Sequence, residues 1–391
     1  MNAEMKQSNR LPIFSISAVI STTLLMTIGS IVRVTGNSVG CPDWPLCYGQ
    51  PIPPIFYQSA WFEFAHRIAA LAAGSQIALV LFIAWRHHRH DKWIYRPALT
   101  ANILLVAQII LGGIHVILRI PPITGLMHTA NAMLIVGLMA VVLTVSLIQN
   151  DLPIRAATTL GNRTFTLCVS IITAALYLII LSGSYSIGGD VSTDCTSTDS
   201  CASVMSTVRN IAIVTSVLCI AATLGNTLLA VPALECNAVD LMRDKFFVNC
   251  FSWTTVATYL LMLTGSYVTR SGASLVCPGF PLCGPTTNAM GRLMDIQLLH
   301  RYTSYVVAGL ILVIVLWILN QSTDHNVRRL AQSLIILLLL QMSLGASNIM
   351  LKLPMWSRSL HLMVGTYLWI VIIILWATVT LGRVSASRLQ T

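Results

Sequence analysis

Ten stretches of this chain are apolar over about twenty residues or more, near 11–33, 60–85, 98–118, 124–148, 165–187, 206–231, 248–269, 294–319, 331–351 and 357–380. That is the length a helix needs to cross a lipid core of about 30 Å. The pattern predicts about ten membrane-crossing helices joined by polar connections. The run that begins near Leu11 has no small-residue cleavage site, so it reads as a retained span and not as a removed signal. Composition points the same way. Of 391 residues, 55% are hydrophobic and only 9% are Asp, Glu, Lys or Arg. A soluble domain carries roughly a quarter charged residues, so this chain cannot cover a water-facing surface. The same hydrophobicity excludes disorder, and the lack of a basic patch with interleaved aromatics excludes a nucleic-acid reader. The expected fold is an all-α polytopic membrane protein with its core packed between helices.

The net charge of +10 bears on orientation and on contact with membrane lipid, not on an acidic partner. Fourteen Lys and Arg, from Lys6 and Arg10 through the 86–97 loop to Arg383 and Arg388, fall on the side that holds both termini. About six fall on the other side: Arg33, Arg119, Arg270, Arg292, Lys352 and Arg358. The positive-inside rule predicts cytoplasmic termini. Arg67, Arg209 and Arg301 lie within spans or at their mouths and need another reason.

Six of the ten cysteines form three pairs, each with five residues between: Cys41 with Cys47, Cys195 with Cys201, and Cys277 with Cys283. All fall on loops predicted outside, where disulfides persist. A loop this short gains little from closure, so a structural clamp and a redox or docking role both stand. Zinc is disfavoured, because the loops supply no histidine. The loops also reveal an internal repeat. Gly-Ser precedes the first cysteine of each pair by twelve residues, at Gly29, Gly183 and Gly265. CPDWPLC (41–47) matches CPGFPLC (277–283), and Glu63-Phe-Ala-His66-Arg67 aligns with Gln297-Leu-Leu-His300-Arg301. LGGIHVILRIPP, running on to His128, aligns with LGASNIMLKLPM, running on to His361. This divides the chain into a four-helix unit over 1–150, an inserted two-helix hairpin over 151–245, and a second four-helix unit over 246–391. The hairpin reads as a half-repeat without its histidine, Val208 standing in its place.

His66, His128, His300 and His361 each lie in the first turns of a helix that starts on the outer side, and each recurs in the other repeat. Ionisable groups at membrane depth are costly and usually functional. Facing His pairs within a helical bundle are a common way to hold a heme iron or another metal. Heme outranks zinc here because each unit offers two histidines and no cysteine or carboxylate set. Arg67 and Arg301 follow the two histidines on even-numbered helices and are candidates to pair with heme propionates. Glu63 shares a helical face with His66. Its counterpart Gln297 cannot ionise, so the Glu63 cage is the candidate reaction site and the Gln297 cage the candidate electron-transfer site. The alternative for Glu63 is a plain ion pair with Arg67. His115 reads as a hydrogen-bonding packing residue, and His87, His88, His90 and His325 as solvated members of the cytoplasmic loops.

At these residues the chain resembles the heme A synthase family, membrane enzymes that convert heme O to heme A for terminal oxidases. The resemblance rests on GSIVRVTG and CPDWPLC (29–47), EFAHR (63–67), the stretch to His128, CPGFPLC, LLHR (298–301) and the stretch to His361. It implies two pseudo-symmetric four-helix transmembrane bundles in a prokaryotic cytoplasmic membrane. It implies that His66 and His128 hold the substrate heme O, and that His300 and His361 hold a heme b cofactor. It further implies oxidation of a heme methyl to a formyl by successive hydroxylations near Glu63, and disulfides in the outer loops. Expected partners are heme O, a heme O synthase, an electron acceptor and further copies of the chain. The insert departs from the family pattern. Two other readings remain at this level. A diheme b-type electron-transfer cytochrome would normally spread its ligands over both membrane faces. A heme or metal transporter would need a polar path inward.

Overall fold

The computed structural model describes residues 10–150, 245–281, 283 and 291–388. Eight helices account for nearly all of them: α1 Leu11–Val34, α2 Gln58–His87, α3 Lys92–Ile117, α4 Pro122–Asn150, α5 Lys245–Ser271, α6 Gly291–Gln321, α7 His325–Met350 and α8 Met355–Arg388. Among the described residues, all eight are long and apolar enough to span a membrane. The protein is an integral membrane protein of helical class. The further two spans expected near 165–187 and 206–231 lie outside the described residues. So do Cys195 and Cys201, and with them the disulfide expected between Cys195 and Cys201.

The helices extend past the apolar runs that announce them. α3 starts at Lys92 and not near 98, because the Asp91 side chain caps it, accepting from the Trp93 amide at 2.8 Å. Asp324 does the same for α7, accepting from the amides of Asn326 and Val327 at 2.7 and 3.2 Å. Polar first turns of this kind carry no hydropathy signal.

The repeat is visible in the backbone. α1 and α5 both end at a glycine in the left-handed region, Gly36 (φ 75°) and Gly272 (φ 79°), where a side chain would be strained. Each glycine leads into one short 3-10 turn, Asn37–Val39 and Ala273–Leu275, and then into a cysteine loop. The α3–α4 and α7–α8 connections repeat as well. Arg119 and Ile120, like Lys352 and Leu353, adopt positive φ just before a proline.

Within residues 10–150, α1 packs on α2, α2 on α3, α3 on α4 and α4 back on α1. Within residues 245–388, α5 packs on α6, α6 on α7, α7 on α8 and α8 back on α5. The two sets meet along α4 and α8, with α1 against α8 and α5 against α4. α4 and α8 are therefore the innermost helices, burying Val136, Met139, Ala140, Val364, Ile372 and Leu375. Polar atoms at this seam are paired across it, as a low-dielectric interior demands. The Trp369 indole donates to the Met133 carbonyl at 2.8 Å and the Tyr259 hydroxyl to the Ala130 carbonyl at 3.2 Å, while within the second set the Trp376 indole of α8 donates to Ser252 Oγ of α5 at 3.0 Å.

Candidate functional site

The helix termini bring two loops and four histidines to one end of the molecule. The loops close first. Cys41 is bonded to Cys47, and Cys277 to Cys283. Each loop is then tied to the helix that follows it. Glu63 is buried and accepts the Cys41 amide at 2.9 Å. Its other carboxylate oxygen meets Arg67 at 2.7 Å, an i,i+4 ion pair. Arg67 directs further N–H groups to the loop carbonyls of Asp43, Pro45 and Leu46 at 3.0, 3.1 and 2.7 Å. The second unit repeats the arrangement with a neutral member. Gln297 accepts the Cys277 amide at 2.9 Å and donates to the Ser274 carbonyl at 2.9 Å. Arg301 donates to the carbonyls of Gly279 and Cys277, both at 2.7 Å.

The first loop is pinned internally by Asp43, which accepts the amides of Tyr48 and Gly49 at 2.6 and 2.7 Å. Slight desolvation pushes this carboxyl up, but the amides of Gly49, Tyr48 and Asp43 itself, with the Arg67 charge, outweigh it and hold it below the usual carboxylate range. Trp44 lies across the top of α3, where a Cβ on Gly113 would sit 3.0 Å from the indole. The matching positions of the second unit exchange bulk, Phe280 for the tryptophan and Ala346 for the glycine.

Beneath each loop lie two imidazoles, each against a glycine of a neighbouring helix. A Cβ on Gly29 would approach His66 Cε1 to 2.9 Å, and one on Gly265 would approach His300 Cε1 to 2.8 Å. The corresponding distances are 3.4 Å from Gly112 to His128 and 3.3 Å from Gly345 to His361. These glycines sit at matching positions of the two repeats. His66 and His128 are within electrostatic reach of each other, as are His300 and His361. Buried imidazole nitrogens normally find partners, yet Nδ1 of His66, His128 and His361 has none among the described residues.

The two pairs differ in their surroundings. Thr264 Oγ1 meets His300 Nδ1 at 2.9 Å. The repeat has Ile28 at that position, so His66 has no such contact. Gln341 Nε2 lies 3.3 Å from His361 Nε2. Its counterpart Gln108 turns instead to the His128 carbonyl at 3.1 Å and accepts from Asn131 at 2.8 Å. Val364 replaces that asparagine in the second unit, which leaves the Gln341 amide to the histidine. His115 stacks on His128 with ring centroids 6.4 Å apart and bonds Thr124 Oγ1 at 2.7 Å. His88, at the end of α2, and His325, opening α7, lie at the opposite end of the helices.

The structure thus brings together Glu63, Arg67 and the first loop, and Gln297, Arg301 and the second. The glycine cradles, Thr264, Gln341 and Trp44 are additions that motif reading missed. The glycines had a signal, because all four recur between the repeats. Among the described residues no three or more His, Cys, Asp or Glu side chains converge to hold a bare metal ion. What the site offers is two half-buried imidazoles per unit, each against a glycine of a neighbouring helix.

Fold and site define a class: helical membrane proteins with repeated histidine pairs under disulfide loops. A family model described as cytochrome oxidase assembly protein matches residues 55–207 and 204–373, and the chain belongs to that family. It is similar to proteins named heme A synthase in several bacteria. One from Geobacillus kaustophilus is 30% identical over 138 residues, 35% of this chain and 43% of the relative. One from Alkalihalophilus pseudofirmus is 30% identical over 178 residues, 45% of this chain and 59% of the relative. One from Lysinibacillus sphaericus is 29% identical over 126 residues, 32% of this chain and 41% of the relative. The matched stretch spans roughly half the length of these relatives.

Proposed function

We propose that this protein is a heme A synthase, oxidising a methyl group of heme O to a formyl group by successive hydroxylations. Net, one water is consumed, four protons are released and four electrons pass to an acceptor. The observation that carries the reading is the asymmetry between two otherwise repeated histidine cages. A carboxylate, Glu63, stands beside one pair, while the other has Gln297 and a hydrogen-bonded ligand orienter, Thr264.

The donor set suits an iron porphyrin. Each unit presents two imidazoles whose Cε1 edges glycines allow close to a neighbouring helix, and most of their Nδ1 atoms are otherwise unclaimed. His66 and His128 hold heme O in this reading, and His300 and His361 hold heme b. Bound heme b supplies an iron that accepts and gives up single electrons. Thr264 fixes the ring of His300, the kind of outer contact that strengthens a permanent ligand. His66 lacks it, which suits a ligand whose heme must leave as product. Glu63 is placed to orient water or to stabilise positive charge developing at the methyl carbon.

The helix contacts support two pseudo-symmetric four-helix bundles, 1–150 and 246–391, with 151–245 as an inserted hairpin whose own outer loop would carry a Cys195 to Cys201 disulfide. The Lys/Arg bias supports cytoplasmic termini and heme sites toward the outer face. A heme O synthase as donor, an electron acceptor and self-association belong to the same reading.

Heme extraction from the purified protein, with chromatographic separation, tests it. Heme B together with heme O, heme A or a hydroxylated intermediate is the expected result. Heme B alone at two per chain, in a host that makes heme O, would point instead to an electron-transfer cytochrome. Glu63→Gln should keep both hemes and cut heme A formation at least about a hundredfold. Unchanged activity would remove Glu63 from the mechanism. His300→Ala should lose heme b, and loss of heme O instead would reverse the two cages.

A further inference from the structure

Three arginines converge at the seam between the two helix sets. Arg33 is in the last turn of α1, Arg270 in the last turn of α5 and Arg358 in the first turn of α8. Arg33 is within electrostatic reach of both others. None of the three is paired with a carboxylate among the described residues, whereas Arg67 is paired with Glu63. Arg270 reaches across the seam. It donates to Thr129 Oγ1 on α4 at 3.2 Å, its buried Nε has no partner among the described residues, and it is in electrostatic reach of His115 and His128.

Helix dipoles explain cations at the ends of α1 and α5 but disfavour Arg358 at the start of α8. The repeat supplies a better account. Arg358 lies three residues before His361, on the same helical face. The matching residue of α4, three before His128, is Gly125. A Cβ on Gly125 would collide with the Arg270 guanidinium. The second helix set therefore lends the first the guanidinium that its own α4 lacks. Each histidine pair ends with one arginine a turn outward, from its own helix in one unit and from across the seam in the other.

Arg67 and Arg301 face the loop carbonyls, so the carboxylates of a bound porphyrin need other counter-ions. We propose that Arg270, assisted by Arg33, holds a propionate of the porphyrin seated between His66 and His128, and that Arg358 does so for the porphyrin between His300 and His361. This rests on the porphyrin-ligation reading above. It makes the first site incomplete without the second helix set.

The test uses the full-length protein in nanodiscs, titrated with heme O and with heme O dimethyl ester while the Soret band is followed. Wild type should bind the free acid about tenfold or more tighter than the ester, the scale of one charge-assisted bond. Arg270→Ala should abolish that preference, and Arg270→Lys should retain part of it. Both should leave the b-type spectrum of the second site unchanged, which also reports that the variant is folded. Arg358→Ala should instead loosen the second heme. Preference retained in Arg270→Ala overturns the proposal, as does equal loss of both hemes in the Ala and Lys variants. Acid and ester bound equally by wild type, with affinity that tracks phosphatidylglycerol content, would overturn it in favour of a lipid headgroup. Undiminished binding by His66→Ala would remove the ligation reading itself.

Discussion

The four histidines of the proposed heme sites are confined by what lies opposite them. A methyl group on Gly29 or Gly265 would come within 2.9 and 2.8 Å of an imidazole carbon, closer than real Cβ contacts, whereas Gly112 and Gly345 leave 3.4 and 3.3 Å. The ring must move in the first pair and need yield only slightly in the second. Gly29→Ala and Gly265→Ala should therefore each displace their histidine, at an overpacking cost of about 1–3 kcal/mol, and lower heme content of the matching site. Gly112→Ala and Gly345→Ala should be distinctly milder. Heme per chain by extraction checks the order, and equal effects at all four positions would contradict it. The histidines and Glu63 were legible in the sequence because ionisable groups stand out against apolar helices and because the repeats exposed Glu63 against Gln297. The glycines were equally repeated, but a glycine has meaning only through the ring that faces it. The role of Arg67 and Arg301 was not legible, because their partners are main-chain carbonyls that arrive only when the loops close.

At the scale of the element, the first cysteine loop stands on Asp43 as much as on its disulfide. The carboxyl of Asp43 lies below its usual range in the folded protein. Its contribution is fully present above the unfolded value near 3.9 and is lost as pH falls through the lower, folded value. Reduction of Cys41–Cys47 by a phosphine reductant that works in acid should thus accelerate as pH drops below about 4. Asp43→Asn should make the bond easily reduced at neutral pH and flatten the profile, and a wild-type rate unaffected by acid would refute the role. The helices themselves were mostly legible. Apolar length located all eight that the structure describes, but not their polar ends, such as the capped first turns at Asp91 and Asp324 and the last turns of α8 beyond 380. The expected hairpin over 165–231, with Cys195 and Cys201 between its helices, falls outside the described residues.

For the whole molecule, the decisive surface is the one between α4 and α8. Both helices are buried along most of their length, and the indole of Trp369 and the hydroxyl of Tyr259 bond carbonyls of α4 across the seam. Association there does not need a continuous chain, since tight small-residue contacts such as Gly137 against Trp369 drive helix pairing in lipid. Two polypeptides, 1–150 and 245–391, coexpressed in one membrane should copurify, and Trp369→Ala should weaken that copurification. Halves that never associate would show that the seam depends on the intervening segment.

Both loop locks grip main-chain atoms of the loop. Glu63 and Gln297 hold an amide, and Arg67 and Arg301 hold carbonyls. A lock of this kind is blind to the identity of most loop side chains but unforgiving of loop length. Apart from Asp43 and Trp44, whose side chains have partners of their own, positions between the two cysteines can change in sequence and acquire new surface chemistry without touching the lock. An insertion or deletion of one residue would misalign every bond at once.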